Sequence, residues 1–313
     1  MTERVLVALG GNAILKHKDK GTSEEQFENI RETCKNLMVL FKEGYRIAIT
    51  HGNGPQVGDI ILKNDLAQDT LPPMPTDVCG GESQGMIGYM LQQCMRNELK
   101  SAGLDIPVAT VLTQTLVDKD DSDFKNPTKP IGPFYTAMEA SNLREQKGWT
   151  IIDDSGRGYR RVVASPNPIA LIENEAIKNL FDDGIVVIAS GGGGIPVVAD
   201  ENGMLRGVEA VIDKDLAAAI FAKLIGAEIL LILTDVEKVA LNYGRPDQKD
   251  LDDMTIADAR KYASEGQFAP GSMGPKVESA IRFIESGGDK AIIASIEGAL
   301  DALQGRAGTT IRK

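Results

Sequence analysis

The chain has 313 residues, 42% of them hydrophobic and 25% charged, which excludes disorder as the main state and leaves length for about two domains or lobes. A formal net charge of -11 repels phosphate backbones, so nucleic acid is excluded as an expected partner, while a small anion fits wherever lysines gather. No run approaches the ~18 apolar residues of a membrane helix, and the first nine residues lack the apolar region of a signal peptide. Cys34, Cys79 and Cys94 are odd in number and show no CxxC spacing, which argues against a disulfide framework and a zinc site and for reduced thiols in a cytoplasmic protein.

Short apolar runs alternate with longer amphipathic stretches. Residues 5–9 read as a buried strand ending at Gly10-Gly11. Ser23, with Gln26 three residues on, has the form of a capping box. It would open a helix carrying Phe27, Ile30, Cys34, Leu37, Met38 and Phe41 at helical spacing, with Gly44 as its stop. A second strand, 45–50, runs into His51-Gly52-Asn53-Gly54, and residues 107–117 read as one strand. Residues 118–135 are rich in Asp, Pro and Lys and have no apolar period; polar residues 141–147 follow. Segments 149–153 and 159–163 then suit a hairpin around the turn Asp154-Ser155-Gly156-Arg157-Gly158. The stretch 117–165 is therefore expected to be a small subdomain inserted into the main fold.

Beyond it, Asn167-Pro168 is expected to open a helix bearing Ile169, Ile172, Ala176, Ile177 and Leu180. Residues 185–189 form a strand ending at Ser190 and four glycines, 216–225 a helix, and 229–233 a strand ending at Thr234-Asp235. Residues 275–284 are helical and 291–296 form the final central strand. Strands buried on both faces and alternating with helices predict an α/β protein with a mostly parallel sheet, which binds ligands beyond the carboxyl ends of its strands.

Three glycine-rich segments follow predicted strands: Gly10-Gly11-Asn12, Gly52-Asn53-Gly54 and residues 191–194. Such turns let backbone N–H groups converge on an anion. One of them is explained by an ordinary tight turn; three on one sheet edge are harder to dismiss. The P-loop pattern GxxxxGK[ST] is absent, and Gly52 to Gly58 spells GxGxxxG, one residue longer than the dinucleotide fingerprint. Lys214 stands just before a predicted helix and Lys276 in the first turn of another. A cation there opposes the helix dipole at a cost of about 0.3–1 kcal/mol. An anion between the lysines and the helix ends removes that conflict. For either lysine alone, a solvated head on a packed stem is the plain alternative.

The chain resembles the carbamate kinases of the amino acid kinase superfamily over nearly its whole length. The resemblance rests on ALGGNA (8–13), HGNGPQVG (51–58), NPTKPIGPFY (126–135), GGGGIPV (191–197), GVEAVIDKDL (207–216) and GSMGPKV (271–277). At Ala164 the family pattern usually has Pro. The resemblance implies a three-layer α/β/α sandwich around an open sheet of about eight strands, and a homodimer. It implies reversible transfer between ATP plus carbamate and ADP plus carbamoyl phosphate, with Mg2+, making ATP in arginine breakdown. Residues 1–180, including the lid-like insertion 117–165, would hold carbamate, and residues 181–313 the nucleotide. Lys129, Lys214 and Lys276 match the family's functional lysines and Asp215 its organising aspartate. Asp235, Tyr243, Ala269 and Met273 would lie along the nucleotide.

Carbamate carries an anionic oxygen nucleophile, so phosphoryl transfer needs alignment and charge stabilisation more than a base. On this reading Lys214 and Lys276 bind the moving phosphoryl group and Asp215 holds them by charge-assisted hydrogen bonds. Gly10, Gly11 and Asn12 supply donors at the carbamate end, Gly52 and Asn53 face them, and Lys129 closes over the substrate. His51 is assigned a backbone or packing role. The rivals are a kinase of the same superfamily acting on another acid, such as acetylglutamate or a nucleotide monophosphate, and a catalytically silent nucleotide sensor.

Overall fold

The structure is a computed structural model that describes residues 2–16, 18–154 and 158–313. The first half of the chain runs β1 (Arg4–Leu9), α1 (Ser23–Lys42), β2 (Arg46–His51), α2 (Gly54–Ala67), α3 (Thr76–Ser101), β3 (Val108–Thr110) and β4 (Gln114–Val117). Next come β5 (Lys129–Tyr135), α4 (Ala137–Lys147), β6 (Ile151–Asp153), β7 (Tyr159–Val163), β8 (Pro168–Leu171) and α5 (Asn174–Asp182). The remainder is β9 (Val186–Ile188), β10 (Ile195–Ala199), β11 (Leu205–Gly207), α6 (Lys214–Leu224), β12 (Ile229–Thr234), β13 (Val239–Leu241), β14 (Lys249–Leu251) and β15 (Asp253–Thr255). It closes with α7 (Ile256–Ser264), α8 (Met273–Glu285), β16 (Lys290–Ser295), α9 (Ala299–Leu303) and β17 (Thr309–Arg312).

The main sheet has eight strands in the order β15-β17-β16-β12-β1-β2-β9-β3, parallel throughout except where β17 meets β16. Successive side chains of a strand face opposite ways, and here both ways lead into a core. Val5, Val7 and Leu9 of β1 join Ile229, Leu231 and Leu233 of β12 against Ile30, Cys34 and Leu37 of α1 and Leu91 and Met95 of α3. Leu6, Ala8, Leu230 and Ile232 face the other way, onto Ala218, Phe221 and Ala222 of α6 and Val277, Ile281 and Phe283 of α8. That double burial is why β1 and β12 read as unbroken apolar runs.

Several local expectations shift. The cap of α1 is Thr22, not Ser23: its side chain accepts from Glu25 N, and the Glu25 carboxylate accepts from Thr22 N at 3.0 Å. Residues 107–117 do not form one strand. Between β3 and β4 the backbone of Thr113 is diverted to a side chain, with Gln84 Nε2 donating to Thr113 O at 3.0 Å and Thr113 N donating to Gln84 Oε1 at 2.9 Å. The strand therefore leaves the main sheet and joins a second one, ordered β11-β10-β4-β8. Pro168 does not begin a helix either. It lies in β8, antiparallel to β4, and the helix waits until Asn174, after Glu173 has accepted from Gln114 N at 2.7 Å. Asn167, the residue before proline, is biased toward extended backbone for steric reasons.

The insertion is a three-stranded sheet, β5-β7-β6, with α4 beside it. The expected hairpin pairs as Ile151↔Arg161 and Asp153↔Tyr159, while residues 155–157 of its turn lie outside the described residues. Its first strand, β5, occupies a stretch without an apolar period, because the strand is held by pairing with β7 and by packing of Ile131 on Val57 and Ile61 of α2. Residues 54–101, to which the apolar pattern assigns no element, form α2 and α3. The strand at 290–295 is followed by one more, β17, which extends the sheet toward β15. No helix among the described residues is long and apolar enough to cross a membrane.

Candidate active site

The strands β12, β1, β2 and β9 are neighbours in the main sheet and all parallel, so their carboxyl ends share one edge. They deliver Asp235, Gly10-Gly11-Asn12, Gly52-Asn53 and the glycines at 191–194 to it. Two cavities meet there. The larger, about 540 Å³, takes its walls from Gly52, Asn53, Lys129, Arg160, Asp213 and Asp215, among others. The smaller, about 160 Å³, takes its walls from Gly10, Asn12, Thr234, Asp235 and Ser272. Gly11, Lys214, Gly271 and Lys276 belong to both, so the two lysines stand at the junction.

Lys214 is the first residue of α6 and Lys276 lies in the first turn of α8, and these helices pack on each other. Both ammonium groups turn to Asp215. Its Oδ1 accepts from Lys214 Nζ and its Oδ2 from Lys276 Nζ at 3.2 Å. Ser279 of α8 donates to the backbone carbonyl of Asp215, which fixes the helices to each other beside the ion pairs. The side chains are 15%, 11% and 5% exposed for Lys214, Lys276 and Asp215, so this is a buried triad. Burial by itself pushes the Asp215 carboxyl up, yet Lys214 and Lys276 together carry it below the usual carboxylate range. Burial pushes the Lys214 ammonium down, partly countered by Asp215. Two cations share one buried anion, which leaves an excess positive charge at the cavity junction.

Helix ends add to that charge. Helices α1, α4 and α7 close their N-termini with capping boxes, whereas α2 and α8 have no side-chain cap. Helices α3, α5 and α9 lack one too; the uncapped ends of α2, at Gly54 and Pro55, and of α3, at Thr76, line the cleft, as does Gly271, two residues ahead of α8. Unpaired N–H groups at such ends favour anions.

The glycines divide into two kinds. Gly192, at φ +63°, is packed: a Cβ there would fall 2.2 Å from Asn53 Nδ2, a group that donates to Ser83 Oγ at 2.8 Å. The glycine run thus holds Asn53 in place. Gly11 has no such neighbour, since a Cβ there would meet nothing within 4 Å and would project into the space where the cavities join.

His51 is buried at the end of β2, with Nδ1 2.9 Å from Gly52 O. Burial pushes its imidazole down to about 4, and the Lys214 charge acts in the same direction. The ring is a neutral packing group against the glycine loop, where a Cβ on Gly191 would lie 2.4 Å from Nε2.

The structure thus gathers Gly10, Gly11, Asn12, Gly52, Asn53, Lys129, Lys214, Asp215, Asp235 and Lys276 around the two cavities. Tyr243, Ala269 and Met273 line neither. Tyr243 is 69% exposed between β13 and β14, Met273 packs on the second core, and Ala269 O accepts from Gly274 N at 2.9 Å, closing the turn into α8. Four further residues support the site: Asp213, Arg160, Ser83 and Ser279. Arg160 of β7 donates to Gly132 O at 3.1 Å, pairs with Asp154 at 3.3 Å and stacks 5.2 Å from the Phe134 ring. Asp213 had a sequence signal, an aspartate ahead of a helix. The others depend on which elements meet.

Residues 3–295 match the amino acid kinase family. The chain is 53% identical to the carbamate kinase of Thermococcus kodakarensis over 312 residues, covering 99% of both chains, and 50% identical to that of Clostridium perfringens, covering 99% of this chain and 100% of the other. The structure of carbamate kinase from Giardia lamblia bound to AMP-PNP superposes with a TM-score of 0.93 at 44% identity, over 100% of this chain and 99% of that one. The chain belongs to the amino acid kinase family and, within it, to the carbamate kinases.

Proposed function

We propose that Lys214 and Lys276 perform the central step of this kinase. The terminal phosphoryl group of ATP passes to a carbamate oxygen: a P–O bond to ADP breaks, a P–O bond to carbamate forms, and carbamoyl phosphate leaves. No proton has to move, because carbamate enters as the anion, which agrees with a site that offers cations and a neutral, buried His51. Charge gathers on the phosphoryl oxygens as they move, and fixed cations at the cavity junction stabilise it without rearrangement. The carrying observation is that both ammonium groups are held by one buried carboxylate at the junction of the two cavities.

The division of labour follows the chain. Residues 1–180 bind carbamate, with Gly11, Gly52 and Asn53 as donors and Lys129 on the insertion 117–165 above it. Residues 181–313 bind ATP or ADP, with Asp235 at the phosphates and Tyr243, Ala269 and Met273 along the nucleoside. Gly10 and Asn12, expected from the sequence at the carbamate end, line the smaller cavity and not the larger, so on this reading they stand beside the phosphates instead. Asp235 is the carboxylate lining that cavity, and Thr234 Oγ1 donates to it at 3.0 Å. Among the described residues no three His, Cys, Asp or Glu side chains gather as a metal site. This donor set suits Mg2+ held chiefly by phosphate oxygens and water, with Asp235 as the chain's own contribution. When bound, the ion neutralises charge on the phosphates. The reading also includes a cytoplasmic homodimer that makes ATP during arginine breakdown.

The test is ATP formation from ADP and carbamoyl phosphate, with acetylglutamate and nucleotide monophosphates offered as acceptors in the reverse direction. Turnover with carbamoyl phosphate and none with the other acids is expected. Preference for another acid would overturn the substrate assignment.

A further inference from the structure

Lys129 reaches the cleft from the insertion, and its partner there is Asp213. Its Nζ donates to Asp213 Oδ2 at 2.8 Å. The other oxygen of the same carboxylate, Oδ1, accepts from Asp215 N at 2.9 Å and caps α6. One carboxylate therefore bridges the lysine of the insertion and the first turn of the helix that carries Lys214 and Asp215. The backbone reinforces the bridge. Ala164, at the end of the insertion's return strand, pairs with Ala210, and its carbonyl accepts from Val211 N at 3.0 Å, two residues ahead of Asp213. Lys129 and Asp213 are 32% and 12% exposed, so the pair is partly shielded from water and sits on the wall of the larger cavity.

We propose that Asp213 is a positioning residue for the phosphoryl transfer, holding the Lys129 ammonium over the cleft in register with Lys214. An ammonium group has three donors. Asp213 occupies one and leaves two for the anionic substrate, so the carboxylate orients the cation while the helix cap keeps the carboxylate itself fixed. Without that anchor Lys129 is a flexible stem on a half-exposed strand, and substrate binding has to order it. The inference rests on the proposed role of Lys129 at the carbamate end.

The test is a double-mutant cycle with Asp213→Asn and Lys129→Met, measured as ATP formation in the full-length enzyme, with thermal melting of each variant. The asparagine side chain in Asp213→Asn retains an oxygen that caps α6, so a melting temperature close to wild type is expected and a kinetic effect is not a folding effect. Asp213→Asn is expected to raise KM for carbamoyl phosphate by about 10-fold, as fits a lost charge-assisted hydrogen bond, with KM for ADP unchanged. Lys129→Met is expected to raise it at least as much, and adding Asp213→Asn to Lys129→Met to change it no further, because coupled residues are non-additive. An Asp213→Asn effect of equal size with and without Lys129, or no effect on KM for carbamoyl phosphate, would overturn the positioning role alone. A silent Lys129→Met would overturn both this role and the place given to Lys129 in the proposed function.

Discussion

The site has two cationic regions built in opposite ways. Lys214 and Lys276 grow from two helices of the main body, share the buried Asp215, and are braced by Ser279 across the helix pair. Lys129 stands on a short sheet of the insertion, is more exposed, and is tied to the body through Asp213. A cation that stabilises a moving phosphoryl group has to be fixed before the reaction, since any rearrangement adds to the barrier. A cation that receives substrate has to be oriented with donors left free for it. Burial and a shared counter-ion suit the first task, and a more exposed ammonium oriented by one carboxylate suits the second. The comparison therefore predicts a split in kinetics: the buried pair governs kcat, and the insertion lysine governs KM.

The largest loss is expected at the buried pair. Lys214→Ala or Lys276→Ala is expected to lower kcat by at least about 10²-fold, the scale of losing one electrostatic stabiliser. ATP formation from ADP and carbamoyl phosphate reads it, with circular dichroism to confirm the fold. A folded variant that keeps near-normal kcat would remove the catalytic role of that lysine.

A smaller effect sharpens where the two regions meet. Gly11→Ala adds a Cβ that no protein atom opposes, so the melting temperature is expected to stay near wild type. The same methyl intrudes at the junction of the cavities, and kcat/KM is expected to fall about 10-fold, as for a substrate displaced from its best alignment. Unchanged kinetics would mean that the open space beside Gly11 is not used by substrate.

The smallest effect concerns pH. Burial holds the His51 pKa near 4, against about 6.5 in the unfolded chain, so the fold favours the neutral ring. Its contribution is complete above the unfolded pKa and is lost as pH falls toward the folded one. Between about pH 7 and about 5.5 the chain is expected to lose roughly 1 kcal/mol of stability from this group. Denaturant melts at both pH values check it, and His51→Gln is expected to flatten that loss. The same pH slope in both proteins would show that His51 is not buried neutral.

Much of this was legible in the order of residues, and the limits follow physical lines. The apolar runs of β1 and β12 announce strands buried on both faces, and the helix patterns of α1, α6 and α8 follow from apolar spacing. Lys214, Lys276 and the glycine turns stand out because a cation at a helix start and glycines after a strand both conflict with plain packing. Not legible were the break at Thr113, the strand at Pro168 and the strand β5, each decided by a partner distant in sequence: Gln84, β4 and β7. The glycines at 191–194 carry a packing task that the residue order did not show, since Gly192 also yields space to Asn53.

Local chemistry fixes which residues can cap, turn or carry charge, because those preferences act over a few bonds. The sequence alone therefore determined an α/β chain with a parallel sheet and lysines at its carboxyl edge. Tertiary structure alone decided that Lys214 and Lys276 share one carboxylate and that Asp213 ties the insertion to α6, because those contacts join residues 61 and 84 positions apart. Only the folded geometry brings such pairs within reach of a hydrogen bond.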